Sequence, residues 1–142
     1  FTDFQLALNI FSKSNKRENG VFITSCFGGR FDHLWSTIIT FCSSKGTYRP
    51  IGAADEREGL LFLEGEASAV LTFSKTPEAV SVIPFTEQCT GVSMDGVRWP
   101  LNKAVLEYAV PYSISNRLEA SNIIKFDVES GTVGIYWKWN EV

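Results

Sequence analysis

The sequence is poor in the side chains on which much hydrolytic and metal chemistry depends, with 1 histidine and 3 cysteines in 142 residues. His33 has no serine in any recognised local pattern, and no Gly-x-Ser-x-Gly elbow occurs, which argues against a serine-nucleophile triad of that kind. Cys26, Cys42 and Cys89 stand far apart in no metal-ligand spacing, and an odd count argues against a disulfide framework, so a reducing, cytoplasmic setting is expected. A net charge of −3 and a pI near 5.2 give no basic field, and nucleic acid is not expected as a partner. No run approaches the roughly 18 apolar residues of a membrane span and no cleavable signal pattern is present, so no membrane partner is expected. Neither Gly-x-x-x-x-Gly-Lys-Ser/Thr nor Gly-x-Gly-x-x-Gly occurs. Any phosphate must therefore be handled by something other than the usual nucleotide loops.

What is present is one concentrated stretch, Ser-Cys-Phe-Gly-Gly-Arg-Phe-Asp-His, at residues 25–33. It follows the apolar run Val21-Phe22-Ile23 and precedes a helical pattern, so it reads as a strand-to-helix turn. Gly28 and Gly29 remove two Cβ atoms where the backbone turns and a ligand can approach. Arg30 and Asp32 place opposite charges at the helix start: the arginine fork suits phosphate oxygens, and the aspartate either holds a metal ion or orients the arginine. A glycine turn with a merely structural Arg/Asp pair has the same spacing. The second carboxylate at a helix start is Asp3, and His33 is read as polar packing beside Asp32.

The first third of the chain has α/β character. Thr2 is placed to cap a helix from Asp3 to about Ser14, ended by the polar run 12–20. Val21 to Ile23 reads as a strand buried on both faces. Phe31, Leu34, Trp35, Ile38, Ile39, Phe41 and Cys42 keep a helical period that Ser43 to Gly46 terminate, and residues 50–54 form a weaker strand. Beyond Gly59 the pattern becomes all-β. Apolar runs at 60–63, 69–73, 80–84, 91–99, 123–128 and 132–139 alternate with turns such as Asp95-Gly96 and Ser130-Gly131, and the stretch 103–108 reads as a possible helical turn. The fold class is thus α/β followed by all-β. A part of an α/β catalytic domain at 1–58 precedes a β-sandwich at 59–142, with the boundary between Asp55 and Leu60. In the β part, Trp99 reads as packed core, and Ser113-Ile114-Ser115-Asn116 as a turn in which Ser113 and Ser115 share a face if extended.

These pieces, in this order, resemble the thiamine pyrophosphokinase family over nearly the whole chain. Thr2-Asp3-Phe4-Gln5 is similar to the end of that family's Asp-x-Thr-Asp-Phe segment, and residues 28–33 to its Gly-Gly-Arg-x-Asp-His motif. Ser81-Val82-Ile83-Pro84, Gly91-Val92-Ser93, residues 96–101 and residues 113–116 resemble its β-domain signature. The resemblance implies an ATP-dependent enzyme that transfers pyrophosphate to the hydroxyl of thiamine, giving thiamine diphosphate and AMP, with Mg2+ as cofactor. It also implies a homodimer with the active site shared between the catalytic domain of one subunit and the β domain of the other. By match, Asp3 is a metal ligand and, with Asp32 and Arg30, catalytic. Thr2, Gly28, Gly29, Ser113 and Asn116 bind substrate. The family's Gly-Asp-x-Asp-Ser segment is absent, so the chain is expected to be the C-terminal part of a longer protein. Leu6 stands for a usual lysine, Thr37 for a common asparagine, and Leu118 near the place of an aromatic ring. The alternative is a non-catalytic thiamine-binding or dimerisation module.

Overall fold

The computed structural model describes residues 2–14, 18–43 and 47–141, in two compact units, Phe1–Asp55 and Glu56–Val142. The expected helix terminator Ser44-Lys45-Gly46 and part of the polar run after Ser14 lie outside the described residues.

In the first unit, helix α1 (Asp3–Ser14) and strand β1 (Gly20–Thr24) precede helix α2 (Phe31–Cys42) and strand β2 (Arg49–Ala54). Thr2 and Gln5 close α1 reciprocally. The Gln5 N–H donates to Thr2 Oγ1 at 3.2 Å, and the Thr2 N–H donates to Gln5 Oε1 at 2.8 Å, so two backbone donors without intrahelical partners are satisfied. Thr2→Ala is expected to cost about 1 kcal/mol in a urea unfolding series. An unchanged midpoint would mean that the cap contributes nothing.

The core of this unit is aromatic. Phe41 is fully buried and stacks on Tyr48 at 5.7 Å, with Phe4 and Phe11 tilted or edge-on around that pair. The Tyr48 hydroxyl donates to the Phe41 carbonyl at 2.9 Å. Burial pushes the Cys42 thiol up to about 12; burial, with the charge of Cys42, does the same for the Tyr48 phenol, so both stay protonated at neutral pH. Parallel pairing of β1 with β2 runs from Gly20↔Arg49 to Thr24↔Ala54, with a one-residue shift after Val21. The expectation of a strand buried on both faces fails at β1. Its exposure alternates and Phe22 is 49% exposed, because among the described residues only the face carrying Val21 and Ile23 is covered.

The second unit holds seven strands: β3 (Glu58–Glu64), β4 (Ala67–Thr72), β5 (Ala79–Pro84), β6 (Gln88–Asp95), β7 (Leu101–Glu107), β8 (Ile123–Val128) and β9 (Thr132–Lys138). Antiparallel pairing orders them β3-β9-β5 and β4-β8-β6-β7. Inward residues of both sheets, among them Val80, Val82, Met94, Ile124, Phe126 and Ile135, form one buried cluster. Strand β8 shows why: Ile124, Phe126 and Val128 point in while Ile123, Lys125 and Asp127 face out.

The expected helical turn at 103–108 is instead most of strand β7. Its alternation is broken by Lys103, which adopts φ +46 while its N–H donates to Ser93 Oγ at 3.0 Å. That irregularity shifts the register against β6, so no period-2 pattern is legible there. The run expected at 91–99 is also displaced: β6 ends at Asp95, and Val97 only bridges Leu118.

Candidate functional site

The turn after β1 is built from left-handed backbone. Gly28 and Gly29 have φ of +88 and +67 with open space where a Cβ would lie, so conformation, not crowding, selects glycine. Helix α2 then starts after Arg30, whose φ of −80 and ψ of 132 make it an extended cap residue without a side-chain capping bond. Its guanidinium is otherwise engaged. Nε donates to Asp32 Oδ1 at 3.0 Å and Nη2 pairs with Oδ2, a two-pronged ion pair, and the His33 N–H donates to the same Oδ1 at 3.0 Å. The Arg30 hydrogen bond holds the Asp32 carboxyl below its ordinary value, aided by the His33 backbone and opposed by slight burial. Both side chains are mostly exposed, so the pair adds little to stability.

A pocket of about 440 Å3 lies within the first unit. Thr2, Asp3 and Phe4 line it from the start of α1, and Asp32, His33, Ser36 and Thr37 from the first turns of α2. Carboxylates far apart in sequence thus line the same pocket as two helix N-termini, a surrounding in which the helix ends favour an anion and the carboxylates offer oxygen donors for a cation. Gly28, Gly29 and Arg30 do not line it; Arg30 reaches it through its bond to Asp32. Among the described residues no group of three or more His, Cys, Asp or Glu side chains is clustered for a metal ion. Two carboxylates suit the way Mg2+ is commonly held, by one or two protein oxygens together with substrate phosphates, and do not suit an all-protein cage. Ser36 was not legible as a site residue from its type, although it sits one helical turn beyond Asp32 and so shares its face.

Ser113 and Asn116 belong to the second unit and are 8% and 3% exposed. Asn116 Oδ1 accepts the Trp99 N–H at 3.1 Å and the Arg117 N–H at 2.9 Å, while Nδ2 donates to the Trp99 carbonyl at 2.7 Å. The carboxamide therefore grips the backbone of Trp99. Trp99 itself is 56% exposed, against the expectation of packed core, because its backbone is anchored at a rim and its ring faces outward beside the Arg98 guanidinium. Ser113 and Ser115 do not share a face: Ser115 adopts φ +60, which breaks the extended alternation and leaves its side chain exposed while Ser113 is buried. No disulfide joins Cys26, Cys42 or Cys89, and no described helix is long and apolar enough to cross a membrane.

The fold defines the class first: an α/β unit followed by a two-sheet β unit. The same architecture occurs in a crystal structure of thiamine pyrophosphokinase from Bacillus subtilis, which aligns over 99% of this chain and 64% of its own at a TM-score of 0.79 and 21% identity. The yeast enzyme's structure aligns over 83% of this chain and 39% of its own, with a TM-score of 0.63 and 12% identity. Residues 69–133 match the family model described as thiamin pyrophosphokinase, vitamin B1 binding domain. Thiamin pyrophosphokinase 1 of Caenorhabditis elegans is 26% identical over 96 residues, covering 67% of this chain. The chain is thus similar to thiamin pyrophosphokinases, in sequence over much of its second unit and in fold over nearly its whole length. It spans 40% of the length of that curated relative.

Proposed function

We propose that the protein is an ATP-dependent thiamine diphosphokinase, and that the pocket holding Asp3 and Asp32 is its phosphate end. The observation that carries this reading is the convergence of those two carboxylates and two helix starts on one pocket, in a chain whose second unit matches a vitamin B1 binding domain.

In the reaction the thiamine hydroxyl oxygen bonds to the β-phosphorus of ATP, the bond from that phosphorus to the α–β bridging oxygen breaks, and AMP leaves with the bridging oxygen. The hydroxyl proton goes to a pocket carboxylate. The Arg30 fork matches phosphate oxygens as well as it matches a carboxylate, and the exchange of partners is easy because the existing pair is solvent-exposed. Once released, Asp32 joins Asp3 as a cation-facing carboxylate. Mg2+, when bound, neutralises phosphate charge; Asp3 would hold it, with Asp32 as the second candidate. Thr2 caps the helix that presents Asp3, and Gly28 and Gly29 set the entry angle of α2.

The thiamine end is assigned to the second unit. Ser113 and Asn116 serve it by framing the surface, Asn116 through its grip on Trp99, whose exposed ring suits a flat heteroaromatic ligand. A homodimer, as the family resemblance implies, in the reducing cytoplasm that the cysteine usage suggests, completes the reading. The match at 69–133 lies wholly in the second unit, which favours one other reading, a thiamine-binding module without transfer activity.

Arg30→Ala separates the two ends. ATP should bind about ten- to a hundredfold more weakly, the effect of losing a charged hydrogen-bond pair, with thiamine affinity nearly unchanged. Equal weakening of both ligands in calorimetric titrations would contradict the division of labour.

A further inference from the structure

The free edge of β5 is covered by the turn at residues 113–116. Val80 and Asn116 exchange backbone bonds, Val80 N–H to the Asn116 carbonyl at 2.8 Å and Asn116 N–H to the Val80 carbonyl at 2.7 Å, and the Val82 N–H donates to the Ser113 carbonyl at 2.8 Å. Between these anchors the Ser115 amide has no backbone partner on the strand. The Ser115 N–H donates instead to Ser81 Oγ at 3.0 Å, and Ser81 is 5% exposed. Ser81 stands on the face of β5 opposite Val80 and Val82, so its hydroxyl meets the turn and not the apolar core.

Ser115 needs that bond. At φ +60 a serine sits in a region that is disfavoured for non-glycine residues and that persists only where the surroundings enforce it. The bend at Ser115 turns Ile114, 56% exposed, outward, while Asn116 stays buried and keeps hold of Trp99. An extended turn would change both.

We infer that Ser81 is a positioning residue for thiamine: its buried hydroxyl fixes the left-handed Ser115 and so the whole surface from Ile114 to Trp99. The inference rests on the assignment of the thiamine end to this turn. It predicts a residue that touches no reacting atom yet sets the KM for one substrate only.

The test uses the full-length protein with Ser81→Ala and Ser81→Thr, read by steady-state kinetics and by amide hydrogen exchange. Ser81→Ala should raise the KM for thiamine about tenfold, the weight of one lost hydrogen bond, with kcat and the KM for ATP within about twofold. Ser81→Thr retains Oγ and should return the KM to within about threefold of wild type. Exchange at the Ser115 amide should be slow in wild type and faster by about tenfold in Ser81→Ala, an outcome that does not depend on what the turn binds. A KM for thiamine unchanged in Ser81→Ala, an equal rise for ATP, or a Ser115 amide that exchanges alike in wild type and variant would overturn the inference. A wild-type protein that does not use or bind thiamine would overturn the functional reading, and with it the substrate assignment, whatever the exchange data show. Should Ser81→Ala not fold, the wild-type exchange decides: a Ser115 amide as fast as an unprotected one removes the hydrogen bond on which everything here stands.

Discussion

Asp32→Asn is expected to lower kcat by about a hundredfold or more while leaving the melting temperature almost where it was. The substitution keeps size and shape and removes the charge. The carboxylate accepts two bonds from Arg30 and one from the His33 backbone, and a carboxamide can serve only some of these, without the attraction that lowers the carboxyl's affinity for protons. Because the pair is exposed, its loss is nearly invisible to folding; because it lines the pocket, its loss is felt by whatever binds there. The pH dependence follows with a definite sign. The folded carboxyl titrates below its unfolded value of 3.8, so the ionised pair is fully formed above that value and is lost as the pH falls through the lower, folded one. In the free protein, where Arg30 is paired with it, Asp32 should therefore produce no acid limb in kcat/KM above 3.8. A large loss of stability with normal turnover would assign Asp32 to structure.

Asn116→Ala should do the reverse, costing about 3 kcal/mol or more of stability and lowering Tm by roughly 10 °C or more. Three backbone groups depend on this side chain: the Trp99 N–H and carbonyl and the Arg117 N–H. Alanine leaves them without that partner at a position only 3% exposed, and buried polar groups left unpaired are among the few single changes that destabilise strongly. Thiamine affinity should fall as well, through the displaced Trp99, whereas ATP affinity measured below the unfolding transition should hold. A variant with unchanged Tm and selectively lost thiamine binding would mean that the carboxamide meets the ligand directly and that the grip on Trp99 is incidental.

The contrast between Asp32 and Asn116 shows what a sequence makes legible. Helix starts and glycine turns are local: Thr2 with Gln5, and Gly28-Gly29 before α2, follow from residue chemistry over a few positions, and the structure has a cap and a left-handed turn there. The strands with clean alternation, such as β8, were equally plain. Strand β7 was not, because a single left-handed lysine shifts its register, and β1 misled because its apolar run says nothing about which faces are covered. Trp99 differs for a related reason: hydrophobicity marks it for the core, while the bonds that anchor its backbone come from a side chain 17 positions away. Ser81 opens a run that resembles the family's β-domain signature, but nothing in that run marks a task for its hydroxyl. A serine in an apolar strand is ordinary until a left-handed residue from a distant turn is found donating to it.

On the proposed function, this protein moves an intact pyrophosphoryl group from ATP to thiamine. The most direct measurement incubates the full-length protein with thiamine and ATP labelled at the γ-phosphate, then separates the products. Label is expected in thiamine diphosphate, with AMP formed in equal amount. Label released as inorganic phosphate, or thiamine bound without any transfer, would contradict it.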